Sequence, residues 1–182
     1  TVPVVNMESA TGHPLQSLAD AITMEEHKTT HRPKVVLTWA PHPKALPQAV
    51  ANSFVQMMQL QEADFVITHP KGYELNPEIT KDSTIEYDQN KAFENADFIY
   101  AKNWSNYNDY GKITNSDPNW TVNADKMALT NNAKFMHCLP VRRNVIVSDE
   151  VIDSENSIVI EQANNRTYSA QLVLQKILEN GK

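Results

Sequence analysis

Short apolar runs alternate with longer amphipathic stretches along nearly the whole chain. Val35-Val36-Leu37, Phe65-Val66-Ile67 and Phe98-Ile99-Tyr100-Ala101 are continuously apolar, the pattern of strands buried on both faces. They predict strands over 34–40, 64–70 and 96–101. The spacing predicts further strands over 2–6, 84–88 and 157–160, and one through 135–139 that Pro140 stops. Helical spacing appears between them. Leu15, Leu18, Ala19 and Ile22 follow Pro14, a residue suited to a first helical turn. Val50, Phe54, Met57 and Met58 form an apolar stripe behind Pro47, and this stripe reads as core. Asp88 is placed to cap a helix over 91–94. Further helices are predicted over 121–129, from Ser148, and over 167–179, where Ala170, Val173, Leu174, Ile177 and Leu178 share a face. Strands alternating with helices across short loops predict a three-layer α/β sandwich with a parallel sheet. Residues 27–33 are polar and mark a candidate domain boundary, and 105–120 form a long polar loop, either functional or mobile.

The bulk numbers narrow the function classes. The 182 residues are 41% hydrophobic and 21% charged, an ordinary globular balance for one domain or one plus part of another. A formal net charge of -6 argues against a nucleic-acid footprint, so local cationic clusters point to a small anionic ligand. No apolar run is long enough to span a bilayer, and no membrane partner is expected. The single cysteine excludes an internal disulfide framework and suits a cytoplasmic location. Four glycines and no GxGxxG or P-loop pattern make a dinucleotide cofactor unlikely, and no cofactor is expected. The histidines lack metal-ligand spacing, so no metal site is expected either.

Candidate chemistry falls at predicted strand ends: His42, His69, Lys102, His137, Cys138, Arg142, Arg143 and Arg166. In an open parallel sheet those ends share one edge, where ligands bind. Paired guanidinium groups after Pro140 offer forked donors to carboxylate or phosphate. His13 and Gln16 sit at a predicted helix N-terminus, which favours an anion, although simple capping and solvation explain them equally well. Cys138 as a nucleophile is the weaker reading. His137 next to it points to the opposite strand face, and buried cysteines are usually inert.

His13-Pro14-Leu15-Gln16 and His137-Cys138-Leu139-Pro140, in this order and about a domain apart, resemble the aspartate and ornithine carbamoyltransferase family. Val141-Arg142-Arg143-Asn144 departs from the Ala-His-Arg-Gly type of sequence of the ornithine enzymes, and the Asp-x-x-x-Ser-Met-Gly motif has no counterpart. Both departures resemble the acylornithine branch. Trp39-Ala40-Pro41-His42-Pro43 and Thr68-His69-Pro70 extend the likeness, which leans to the succinylornithine members.

The resemblance implies carbamoyl transfer from carbamoyl phosphate to the δ-amine of N-succinylornithine or, alternatively, N-acetylornithine, in arginine biosynthesis. It implies contacts to carbamoyl phosphate from His13, Gln16, Cys138, Leu139 and Arg166. Cys138 lies at the reacting carbonyl, and the acylornithine site comprises Glu8, His42, Lys102 and Arg142. It further implies a homotrimer for the full-length protein. Residues 1–30 are expected to be the tail of a carbamoyl-phosphate domain, 31–163 an amino-acid-binding domain, and 164–182 a helix returning toward the first domain. The family's Ser-x-Arg-Thr phosphate motif is missing, so the chain is expected to be a C-terminal fragment, inactive alone. A non-catalytic amino-acid-binding module and a cysteine hydrolase are the competing readings.

Overall fold

The computed structural model describes residues 2–180. Its strands are β1 (Lys34–Trp39), β2 (Asp64–Thr68), β3 (Thr84–Glu86), β4 (Phe98–Lys102) and β5 (Lys134–Met136). The helices are α1 (Pro14–His27), α2 (Ala49–Met58), α3 (Pro77–Thr80), α4 (Gln89–Phe93), α5 (Ala124–Met127), α6 (Asp149–Ile152) and α7 (Val159–Asn180). The strands form one parallel sheet in the order β3-β2-β1-β4-β5. The chain therefore runs outward from β1 on one side, then crosses back to lay β4 against the other side of β1. The topological switch point lies between β1 and β4, and ligands of open α/β sheets bind beyond the carboxyl ends of strands there.

Side chains on a strand alternate between faces, so each central strand feeds two cores. Leu37, Trp39, Phe98, Tyr100 and Met136 pack with Met24 of α1 and Val50, Phe54 and Met58 of α2. Val36, Ile99, Ala101 and Phe135 pack on the opposite face with Phe93 of α4 and Val151 of α6. This is the expected three-layer α/β arrangement. The caps follow local sequence: Asp88 accepts from the amides of Asn90 and Lys91, and Asn123 from that of Lys126.

The long segment after β4 is pinned at several points. Trp39 Nε1 donates to the Trp104 carbonyl (3.0 Å), Trp104 Nε1 to the Tyr73 carbonyl (2.8 Å), and Thr114 Oγ1 to the Tyr73 hydroxyl (2.8 Å). Lys126 Nζ donates to Gln89 Oε1, Asn119 O and Thr121 O, tying the segment's end to α4. Burial lowers the Lys126 ammonium to about 8. The 105–120 stretch is thus fastened at several points.

Three expectations are corrected. Residues 2–6 form no strand: Val2 and Val4 are 84% and 90% exposed, and no strand among the described residues pairs with them. Thr1 lies outside the described residues, as do 181 and 182. An extended apolar segment without a partner leaves its backbone groups to water, so the run alone does not make a strand. Residues 157–160 contribute only a bridge between Ser157 and Phe135 before the backbone turns into α7 at Val159. That helix runs 22 residues and takes in Gln162 and Asn165, whose buried side chains bond to α1; for Asn165 this outweighs a modest helix propensity. Of the apolar stripe on it, Leu174 and Leu178 are exposed and Ala170, Val173 and Ile177 half-buried.

Phe54 is fully buried against Tyr100 (centroids 4.5 Å) and Phe65 (5.9 Å), bridging helix layer and sheet. Phe54→Ala is expected to cost about 3–5 kcal/mol in equilibrium urea unfolding.

Candidate active site

The sheet positions the site. β1 ends at Trp39, and Pro41 and Pro43 brace His42 just beyond it. Lys102 closes β4 in register with Trp39, so Lys102 and His42 stand on either side of the switch point. Asn103 Nδ2 donates to the Ala40 carbonyl (2.7 Å), clasping the two strand ends together. β5 ends at Met136 beside Tyr100 and delivers His137 and Cys138 to the same edge. Leu139 follows in the left-handed region (φ 47), a conformation that costs a non-glycine residue energy and collects at functional turns.

Helix α1 brings the other group. His13 is its N-cap; its backbone N–H donates to Ser53 Oγ of α2 (2.8 Å), which seats the helix start. Glu8 Oε2 lies 3.9 Å from His13 Nε2. Gln16 is buried and donates from Nε2 to Asp20 Oδ1 (2.8 Å), while its Oε1 has no partner. Arg166 of α7 is exposed; with His13, Leu15 and Met7 it lines an open hollow of about 330 Å³. The larger hollow at Arg32, Asp64 and Thr84 lies at the opposite edge, at the start of β2 and beside β3.

Electrostatics bind these groups into one constellation. Burial holds the His13 imidazole below its ordinary range; Glu8 opposes this, and Arg166 and Lys102 add to it. Burial also lowers His42, with Lys102 and Arg142 contributing. His137 is lowered to about 3, by burial first and then by Lys102 and His42. Arg142 is exposed. Lys102 therefore acts on His13, His42, His137 and, in the opposite sense to burial, on Cys138. The structure brings Glu8, His13, His42, Lys102, Cys138, Arg142 and Arg166 within one field, with Gln16 one turn from His13 and Leu139 adjoining Cys138. Fixed cations beside neutral imidazoles suit an anionic ligand.

Hydrogen bonds specify the imidazoles further. His137 Nδ1 accepts from the Leu139 N–H (2.9 Å), so the neutral ring carries its proton on Nε2, which is buried without a partner. The Lys44 N–H donates to His42 Nδ1 (3.0 Å). Burial pushes the Cys138 thiol up, and no hydrogen bond joins it to His137. A thiolate is therefore scarce, and the cysteine reads as a contact group rather than a nucleophile.

Two strand-end residues stand apart. His69 is a core histidine, edge-on to Tyr87 and Trp104, with Nδ1 near the Pro70 carbonyl (2.9 Å). Arg143 is spent on Asp149 (2.7 Å) and Asp153 (2.6 Å). Sequence reasoning missed Asp20, Tyr100 and Gln162, which lie directly behind the site. Asp20 falls four residues after Gln16, on the same helical face, and that spacing was the available signal.

A family model described as aspartate/ornithine carbamoyltransferase, Asp/Orn binding domain, matches residues 47–177. The chain belongs to that family. It is 62% identical over 180 residues to N-succinylornithine carbamoyltransferase of Bacteroides fragilis, covering 98% of this chain and 57% of the relative. N-acetylornithine carbamoyltransferase of Xanthomonas campestris is 37% identical over 194 residues, with 95% of this chain and 57% of that relative covered. The chain thus spans little more than half the length of these relatives. Among solved structures, a variant of N-acetyl-L-ornithine transcarbamylase complexed with carbamyl phosphate and N-succinyl-L-norvaline superposes with a TM-score of 0.90 at 36% identity. That match covers 97% of this chain and 59% of the other. No helix of the described residues is long and apolar enough to cross a membrane.

Because His137 is buried neutral, its stabilising contribution is complete above an unfolded value of about 6.5 and is lost as pH falls toward 3. A histidine NMR titration is expected to show no step for His137 between about pH 5 and 8. Cys138 is expected to alkylate slowly at neutral pH and to speed up only on denaturation, as measured by mass spectrometry.

Proposed function

We propose that this chain is the amino-acid-binding part of a carbamoyltransferase acting on an acylated ornithine in arginine biosynthesis. The observation that carries it is the convergence of Lys102, His42 and Arg142 at the switch point with His13, Gln16 and Arg166 beside them. The organisation read from the sequence belongs to the same proposal: residues 1–30 finish a carbamoyl-phosphate domain, 31–163 bind the amino acid, and 164–182 return toward the first domain.

In this reading His13, Gln16, Arg166 and the Leu139 backbone hold carbamoyl phosphate, the phosphate lying toward the α1 N-terminus. Cys138 contacts the carbamoyl group. Lys102 and Arg142 hold substrate carboxylates, and Glu8 and His42 line the acylornithine site. The neutral δ-amine attacks the carbamoyl carbon; the C–N bond forms, the C–O bond to phosphate breaks, and the ammonium proton leaves with phosphate or solvent. N-succinylcitrulline and phosphate result. No covalent enzyme intermediate is needed: positioning and the cationic field stabilise the charge that builds on the departing phosphate. Acylation removes the charge of the α-amine, so a carboxylate to bind that amine, as in an ornithine enzyme, is not needed. The 62% identity to an N-succinylornithine enzyme favours the succinyl substrate over the acetyl one. The full-length protein is a homotrimer in this reading.

The chain alone is expected to release no phosphate, whereas co-expression with the N-terminal remainder of the Bacteroides fragilis relative is expected to restore carbamoylation, with N-succinylornithine preferred. Turnover by the chain alone at a rate comparable to that relative would overturn the incomplete-site reading. Ligand binding without phosphate release in the co-expressed protein would favour a binding module. Arg142→Ala is expected to weaken acylornithine binding by about 2 kcal/mol in calorimetric titration, the scale of a hydrogen bond to a charged group. An anion seated at His13 favours the imidazolium, so carbamoyl phosphate binding near pH ~6.5 is expected to take up protons, measured as a buffer-dependent heat.

A further inference from the structure

Asp20 is fully buried, and the proposed reaction does not use it. Its Oδ1 accepts from Gln16 Nε2 (2.8 Å) and from Gln162 Nε2 (2.6 Å). Gln162 Oε1 in turn accepts from the His137 backbone N–H (2.9 Å). One carboxyl oxygen thus joins the side chain of Gln16 on α1 to the segment carrying His137, Cys138 and Leu139, through α7. The other oxygen, Oδ2, has no hydrogen-bond partner, and neither does the buried Tyr100 hydroxyl. The two lie near enough to perturb each other, and Tyr100 in turn perturbs Cys138, although none of these pairings is a formed hydrogen bond. No cation lies within ion-pair distance of Asp20 among the described residues.

We propose that Asp20 is a positioning residue that, as a neutral carboxylic acid, fixes Gln16 and the His137–Leu139 segment relative to each other. A bare carboxylate oxygen in a dry interior is costly, whereas an Oδ2–H group faces an acceptor in the Tyr100 hydroxyl. Burial raises the Asp20 carboxyl to about 7, against the pull of Gln162, Gln16, Tyr100 and Arg166. The titratable or charged groups facing it are Tyr100 from β4, Cys138 from the turn after β5 and Arg166 from α7. Tyr100 and Cys138 are themselves pushed up by burial and stay protonated through neutral pH. Asp20 is therefore the group in this cluster that changes charge near neutrality. Ionisation strengthens the two glutamine bonds at Oδ1 but leaves charge on an Oδ2 that has no donor, beside the thiol and the phenol, and that desolvation cost favours opening of the link.

The sign follows from linkage. An acid raised on folding favours the native state while it is protonated, so stability is lost as pH rises from the unfolded value to about 7. His137 works in the opposite direction below about 6.5, so the comparison needs a variant that removes Asp20 alone.

Asp20→Asn is that variant. Its carbonyl still accepts from both glutamines, and its NH2 stands in for the Oδ2–H donor. Urea unfolding of wild type and Asp20→Asn is measured at pH 5.5 and 8.5, with hydrogen exchange of the His137 amide followed at both. The wild-type unfolding constant is expected to rise about thirty-fold more than the variant's between these pH values. Protection of the His137 amide is expected to fall with pH in wild type only. Equal pH dependence of the two proteins in both measurements would overturn the proposal. So would an Asp20→Asn chain that is destabilised with His137 unprotected at both pH values, because the ionised form would then be the working one. A second arm, resting on the function proposed above, titrates carbamoyl phosphate into the co-expressed protein. There Asp20→Asn is expected to bind as wild type does at low pH, and Asp20→Ala about tenfold more weakly. Failure of wild type to bind counts against the proposed function, while the unfolding and exchange measurements still decide the role of Asp20.

Discussion

The parallel pairing of β1 with β4 is the constraint on which the site depends. Because the strands run the same way, every carboxyl end emerges at one edge, and the crossover from β3 back to β4 opens the crevice at the middle of that edge. Residues distant in the chain, such as His42, Lys102 and His137, become neighbours without any of them needing a special local structure. The buried tryptophans behind them stiffen the crevice. Trp39 and Trp104 each use their indole N–H on a backbone carbonyl, so they bring bulk to the core without leaving a donor stranded.

The field in that crevice is built from groups of two kinds. Lys102, Arg142 and Arg166 supply the cationic charge, whereas His13, His42 and His137 are held below their ordinary range by burial first, with Lys102 adding to it at all three. A pocket of this kind attracts an anion at long range yet offers neutral, directional donors at short range. It also pays little desolvation for the imidazoles before the ligand arrives, because they are not charged.

Much of the fold was legible because parallel strands and their helices carry strong, separate periodicities. β1, β2 and β4 and the Asp88 cap follow directly from local sequence. What escaped was decided by partners. Residues 2–6 have the composition of a strand but no neighbour, and 157–160 are taken over by α7, whose start is stabilised by glutamine and asparagine bonds across to α1. The site residues at strand ends were visible for the same reason the strands were. Asp20 was hidden because a single carboxylate in a helix reads as solvent-facing; only the third dimension reveals that α7 covers it. His69 and Arg143 had the right location and the wrong company, one packed among aromatic rings and the other occupied by two aspartates.

The contact between α1 and α7 is joined by polar side chains. Gln162 meets Asp20, Asn165 meets Thr23 (3.0 Å) and Glu26 (2.7 Å), and Ser169 Oγ donates to the Leu15 carbonyl (2.9 Å). Greasy helix pairs tolerate sliding, since one methyl group replaces another at little penalty. This pair does not. A shift of one residue along the axis would leave the buried members, Asp20, Thr23, Gln162, Asn165 and Ser169, facing mismatched neighbours in a dry interior, at about 1–3 kcal/mol apiece. The seam therefore behaves as a vernier scale with a single matching mark. It sets the axial position of the α1 N-terminus, and so the depth at which His13 and Gln16 stand beside the turn that carries Leu139.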